Sequence, residues 1–313
     1  MPRRPDIFLL TLGCLLVVAS AGRAVGADEK PPARAENRAG ARVAYLLLVN
    51  GAVTDAVVKS ANIAGHKTVE GPYLGTWHGF LKGMDSIQKS RLDPLERRNF
   101  DVLLIATLNC FPNAETWKNH LGPDDSTLAG LAALGAKHNP KFRICWQTYA
   151  WPVGQSPKDG KKTLDVAATK KRATGDPLKE LEKLVGLINA KHGRKVVVIS
   201  PVGDATVKLV ELVAAGKFPG ITDPADLWTE FNMHSNRHML ALTAFCNVAT
   251  MYGVSPVGLK PDFSAVQYGG GGKGPGVQSM AGITDEQLTI LQQIAWEAVA
   301  QYPYAGIAKR QAP

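Results

Sequence analysis

Apolar residues in this chain fall into short unbroken runs, separated by stretches with helical spacing. Val43 to Val49 is a continuous apolar run, and the pattern returns at Asp101 to Ala106, Phe142 to Trp146 and Lys195 to Ile199. Such runs predict strands buried on both faces of a parallel sheet. A weaker strand is expected near His66 to Val69. Between them, Ser126 to His138 spaces Leu128, Leu131, Ala132 and Leu134 at helical intervals. Asp176 and Pro177 open a helix with proline in its first turn, and Leu178, Leu181, Leu184, Val185 and Ile188 form its apolar stripe. Further helices are expected over Ala205 to Ala215 and Asn236 to Tyr252. A last one starts at Thr284, with Gln287 three residues on as a capping box, and ends near Gln301. Strands alternating with helices predict right-handed crossovers and a three-layer α/β/α fold, a doubly wound parallel sheet of about five strands. No internal repeat is visible.

The first residues break this pattern. Arg3 and Arg4 precede an apolar run from Ile7 to Ala19, and Val25-Gly26-Ala27 or Ala19-Ser20-Ala21 offers a small-residue cleavage site. The run is shorter than the ~20 residues that span a bilayer. Residues 1–27 are therefore expected to be an export signal, with an uncleaved anchor as the alternative. The expected destination is outside the cell or the periplasm. Residues 28–42, rich in Ala, Arg and Pro, read as a flexible linker, and 43–313 as one α/β domain.

Composition adds bounds. The chain has 313 residues, 45% of them hydrophobic and 20% charged, which excludes a disordered or collagen-like chain and a multi-pass membrane protein. The formal net charge is +9, and losing Arg3, Arg4, Arg23 and Asp6 with the signal would leave about +7. Beyond the signal, Cys110, Cys145 and Cys246 remain. An odd number at wide spacing is no disulfide framework, so buried thiols are expected, with a Cys110–Cys145 pair as the alternative. Neither cysteine–histidine spacing nor the pair His234 and His238 completes a metal site, and no metal or cofactor is expected. Gly269 to Gly276 lacks the order of a phosphate loop. Lys158 to Lys171, with Arg172, reads as a solvated loop that could hold an anion; no nucleic-acid motif is present, and nucleic acid is not an expected partner.

In an open parallel sheet, ligands bind beyond the carboxyl ends of the strands. There the sequence places Asn50-Gly51-Ala52-Val53-Thr54-Asp55 after the first run, Thr107-Leu108-Asn109 after the second, and a late stretch from Trp228 to Arg237 containing Glu230, Asn232 and His234. Trp77-His78 and the segment Trp146 to Trp151 add aromatic rings, which suit sugar or aryl ligands as well as core packing.

These residues, in this order, resemble the SGNH (GDSL-like) hydrolases, secreted or periplasmic esterases with a flavodoxin-like sheet. Leu46 to Thr54 is similar to that family's first strand and nucleophile motif. Pro201 to Ala205 and the stretch from His234 to Leu259 are similar to its closing segments. The resemblance spans roughly residues 43–260 and implies His234 as general base and Asn109 in the oxyanion hole. It also puts Ala52 where the family has its serine, and Phe231 where it has an aspartate. Alanine has no oxygen for the histidine to deprotonate. The implied protein is a secreted hydrolase-like domain with an impaired centre and a ligand cleft. Asn50, Gly51, Asp55, Trp77, His78 and Asn232 would line that cleft, and a carbohydrate or acylated small molecule would fill it. Two alternatives remain. One is an active carbohydrate esterase or deacetylase with His234 as base, in which Thr54 or another non-standard residue attacks and Glu230 stands in for the missing aspartate. The other is an anion-binding surface protein.

Overall fold

The computed structural model describes residues 40–47, 51–69, 89–97, 100–106, 126–155, 160–230, 234–268 and 277–307. The expected signal, residues 1–27, nearly all of the linker and the glycine-rich segment 269–276 lie outside them. The apolar runs form the centre: β1 (Arg42–Leu47), β2 (Lys67–Val69), β3 (Val102–Ala106) and β4 (Arg143–Gln147), then, past a small hairpin of β5 (Gly154–Gln155) and β6 (Thr163–Leu164), β7 (Val197–Ser200). These five strands form one sheet through four parallel pairings, in the order β2-β1-β3-β4-β7.

Alternation along each strand explains why the runs are unbroken. Val43, Leu104, Cys145 and Val198 pack on one face, and Ala44, Leu103, Ile105, Ile144, Trp146, Val197 and Ile199 on the other. The second face is covered by α2 (Lys89–Glu96), α3 (Thr127–His138) and, after α4 (Val166–Thr174), by α5 (Asp176–His192). The first face carries α1 (Gly51–Ser60), α6 (Val202–Ala214), α7 (Arg237–Tyr252) and α8 (Asp285–Gln301). The expected three-layer α/β arrangement is therefore present, and its strand order is the flavodoxin-like one.

The helix starts follow their capping residues. Ser126 accepts from Ala129 N–H at 3.1 Å, and Thr284 and Gln287 form the reciprocal capping box. The lysine-rich stretch is only partly a loop. Asp165 caps at Ala168 N–H, 2.8 Å, and residues 166–174 become α4. Thr169 and Ala173 give that helix a narrow buried side, while Lys170, Lys171 and Arg172 remain in solvent. Cys145 and Cys246 are buried free thiols, and burial pushes the Cys145 thiol up to about 12, so neither is poised to react. Among the described residues no helix is long and apolar enough to cross a membrane.

Both outer strands of the sheet are protected. β2 is only three residues long. β7 is covered by the segment that follows α8, where Ile199 N–H donates to the Tyr304 carbonyl at 2.8 Å. The Tyr302 hydroxyl donates to Glu182 Oε1 at 2.5 Å and anchors that segment to α5.

Candidate functional site

The strand order fixes where a ligand crevice belongs. Connections leave β1 toward β2 on one side and β3 toward β4 and β7 on the other, so the switch point lies between the carboxyl ends of β1 and β3. Asn50 and Asn109, expected at these ends, lie outside the described residues, as do Trp77, His78 and Asn232. The described part of the edge comes from α1, from the end of β4, and from a hairpin of β8 (Trp228–Glu230) and β9 (His234–Ser235) that leads into α7.

At the β1 end, the chain enters α1 at Gly51. A Cβ on this residue would stand 2.7 Å from the Tyr45 ring, so the close approach of helix to strand requires glycine. The helix buries Val53, Thr54, Val57 and Val58 and leaves Ala52 exposed. Thr54 is 1% exposed and faces the same core as its valine neighbours. The exposed position after the first strand thus carries a methyl group, and the hydroxyl two residues on is turned inward.

At the β4 end, Tyr149 gathers the late hairpin. Its hydroxyl lies 3.2 Å from Ser235 Oγ and accepts from Trp228 Nε1 at 3.3 Å, and Trp151 meets its ring edge-on at a centroid distance of 6.3 Å. His234 is half-buried, and its carbonyl accepts from Thr229 Oγ1 at 2.9 Å. In the backbone register Glu230 pairs with His234, after an irregularity between Trp228 and Glu230. Asn236 then caps α7 through His238 N–H and Met239 N–H. Beneath this edge lies a buried polar layer. Asn247 Nδ2 donates to Gln147 Oε1 at 2.8 Å, and Thr148 Oγ1 donates to the Ser200 carbonyl and accepts from Gly203 N–H. The Asn247–Gln147 bond sets α7 level with the end of β4. The cap at Asn236, eleven residues earlier, is then roughly 16 Å further along the helix axis. His234 therefore stands above the β4 end of the edge, whereas Ala52 belongs to the β1 end, with β3 between the two strands.

His238 is 8% exposed and faces Gln287 at 3.2 Å and the Phe218 ring at 5.6 Å, so it belongs to helix packing. Among the described residues no group of three metal-ligating side chains occurs.

Asp55 does something other than line an open crevice. It accepts from the Tyr45 hydroxyl at 2.6 Å, from Thr68 Oγ1 at 2.9 Å and from His66 Nε2 at 3.1 Å. Since the carboxylate only accepts, Nε2 carries a proton, and Nδ1 on the other side of the ring lies 2.6 Å from the Tyr252 hydroxyl. Burial works against the Asp55 carboxylate, yet the hydrogen bonds from His66, Tyr45 and Thr68 outweigh it and hold the group below its ordinary value. Burial pushes the Tyr252 phenol up to about 12. The chain of carboxylate, imidazole and phenol joins α1, the start of β2 and the end of α7. Met251, beside Tyr252, accepts from Arg143 at the start of β4, which puts this chain toward the amino ends of the strands. Sequence reasoning picked out Asp55 but not its partners, because His66 and Tyr252 are 186 residues apart.

Compared with family models, curated proteins and solved structures, the chain matches none.

Proposed function

We propose that this protein is a secreted or periplasmic SGNH-hydrolase-like domain with an impaired catalytic centre, whose carboxyl edge binds a carbohydrate or an acylated small molecule. The start of α1 carries the reading. Acyl transfer by a Ser–His mechanism needs an oxygen at the exposed position after the first strand, and Ala52 has none. Thr54 faces the core, which counts against it as a substitute nucleophile. The rings of Tyr149 and Trp151, beside the polar groups of Ser235 and His234, support a sugar-binding role, since such ligands stack an apolar face and hydrogen-bond at their rim.

Turnover of p-nitrophenyl acetate by the mature chain tests this, beside Ala52→Ser and Ala52→Ser/His234→Ala. The natural chain should show background turnover, and the proposal requires the β8–β9 hairpin to reach across the end of β3 and bring His234 within about 3 Å of residue 52, in which case Ala52→Ser gains roughly 100-fold and loses that gain when His234 is also removed. Wild-type turnover that His234→Ala abolishes would sink the impaired-centre reading. No gain in a folded Ala52→Ser would sink the alignment of Ala52 with the nucleophile.

A further inference from the structure

Two consecutive strand–helix units end in the same five-residue pattern. α3 closes with Lys137-His138, turns at Asn139, and reaches β4 through Pro140-Lys141. α5 closes with Lys191-His192, turns at Gly193, and reaches β7 through Arg194-Lys195. Because β4 and β7 are parallel neighbours with Ile144 opposite Val197, the two Lys-His-x-x-Lys turns lie side by side at the amino edge of the sheet. Neighbouring strands lie about 4.7–4.9 Å apart, so the segments leading from the two turns into β4 and β7 start side by side at about that spacing.

The turns are held rigidly. Asn139 Nδ2 donates to the Phe100 carbonyl at 3.1 Å and to Asp101 at 3.0 Å, and its Oδ1 accepts from Lys141 N–H at 2.9 Å. Gly193 adopts φ 62°, the left-handed turn that glycine permits. Arg194 Nη1 donates to the Phe142 carbonyl at 2.9 Å and clamps one turn to the other. Lys137, Lys141, Lys191 and Lys195 are exposed, and His138 and His192 are half-exposed. Neither turn contains Asp or Glu. Asp101, the carboxylate that reaches this edge, is engaged by Arg42 and Asn139.

Basic residues in the last turn of a helix complement its dipole, which accounts for Lys137, His138, Lys191 and His192. It does not account for Lys141, Arg194 and Lys195, which lie beyond the helix ends. The positive field is felt locally, because burial together with Arg194 and Lys191 holds His192 below its ordinary value.

We infer that the paired Lys-His-x-x-Lys turns form a binding site for a sulfated or carboxylated polysaccharide. Its anionic groups, carried at regular intervals along a chain, match two rigid clusters of lysine ammonium groups set a sugar unit or two apart. Neither turn carries Phe, Tyr or Trp, and Phe142 beside the first turn is 1% exposed, so beyond the two half-exposed imidazoles no large ring is presented for stacking nucleobases. The site is separate from the carboxyl edge and stands or falls independently of the function proposed there.

The test is titration of the full chain with a heparin-derived oligosaccharide at about 0.15 M salt, where surface charges more than ~8 Å apart are largely screened. The chain is compared with Lys137→Ala/Lys141→Ala/Lys191→Ala/Lys195→Ala and with a control of equal charge, Lys170→Ala/Lys171→Ala/Arg172→Ala/Lys179→Ala. Circular dichroism checks folding. The turn variant should lose roughly tenfold or more in affinity while the control changes little. Lysine acetylation of the unmodified chain should show the four turn lysines protected by the oligosaccharide, a readout that needs no variant. Equal losses in both variants would reduce the effect to net charge and overturn the site. Absence of wild-type binding, protection elsewhere, or tighter binding to duplex DNA or phosphatidylserine vesicles would overturn it too.

Discussion

His66 links two groups that would be poorly satisfied without it. Its ring is 10% exposed, with the Asp55 carboxylate on one nitrogen and the Tyr252 phenol on the other. Replacing it by alanine leaves a buried phenol without this partner and a carboxylate short of one donor. The expected cost is about 1–3 kcal/mol, seen as a lower urea midpoint with an unchanged slope. A second single-residue prediction concerns Gly135. A Cβ there would stand 2.2 Å from the Phe142 ring, so Gly135→Ala should destabilise by about 1–3 kcal/mol despite alanine's better helix propensity. Residues differ in how well a sequence exposes them. Ala52 is legible because it follows closely on an unbroken apolar run, at the exposed start of the next helix. The His66–Tyr252 bond is not, because two distant residues meet only once α7 has packed across the sheet.

At the scale of elements, strands and long helices are the most legible. β1, β3, β4 and β7 follow unbroken apolar runs, and α3, α5, α7 and α8 follow stripes with clear caps. What sequence obscures is the short element with a narrow buried side. In α4 only Thr169 and Ala173 turn inward, so its period is drowned by Lys170, Lys171 and Arg172. Charge also works between elements. Asp101, at the start of β3, holds the Arg42 side chain and backbone N–H of β1 and the Asn139 amide after α3. Burial opposes its ionised form, but the bonds from Arg42 and Asn139 outweigh that and hold its carboxyl at about 2, against 3.8 for a free side chain. A depressed carboxylate stabilises the fold above its unfolded pKa and loses that contribution as pH falls through the folded one. Stability should therefore decline as pH drops from about 4 toward about 2, and Asp101→Asn, less stable at neutral pH, should show a flatter acid limb when urea midpoints are measured across that range.

Across the whole molecule, the flavodoxin-like order gives the sheet two edges with different side chains. The carboxyl edge holds Ala52, Tyr149 and the His234 hairpin, while the amino edge is bound by Arg42, Asp101, Asn139 and Arg194. The sheet is complete only with the segment after α8. A Cβ on Gly306 would stand 2.5 Å from Val198, and Tyr304 accepts from Ile199, so this segment lies directly against β7. A chain stopped after Gln301 should melt lower and associate through the bared strand, read as a rising apparent mass in light scattering with concentration. The same closure has a consequence for synthesis. Ile199 leaves the ribosome more than a hundred residues before Tyr304, so β7 waits, half-paired, while three helices are made. During that interval the nascent domain carries an adhesive border that its finished form lacks, and chaperone occupancy on translating ribosomes should peak between β7 and the appearance of Tyr304.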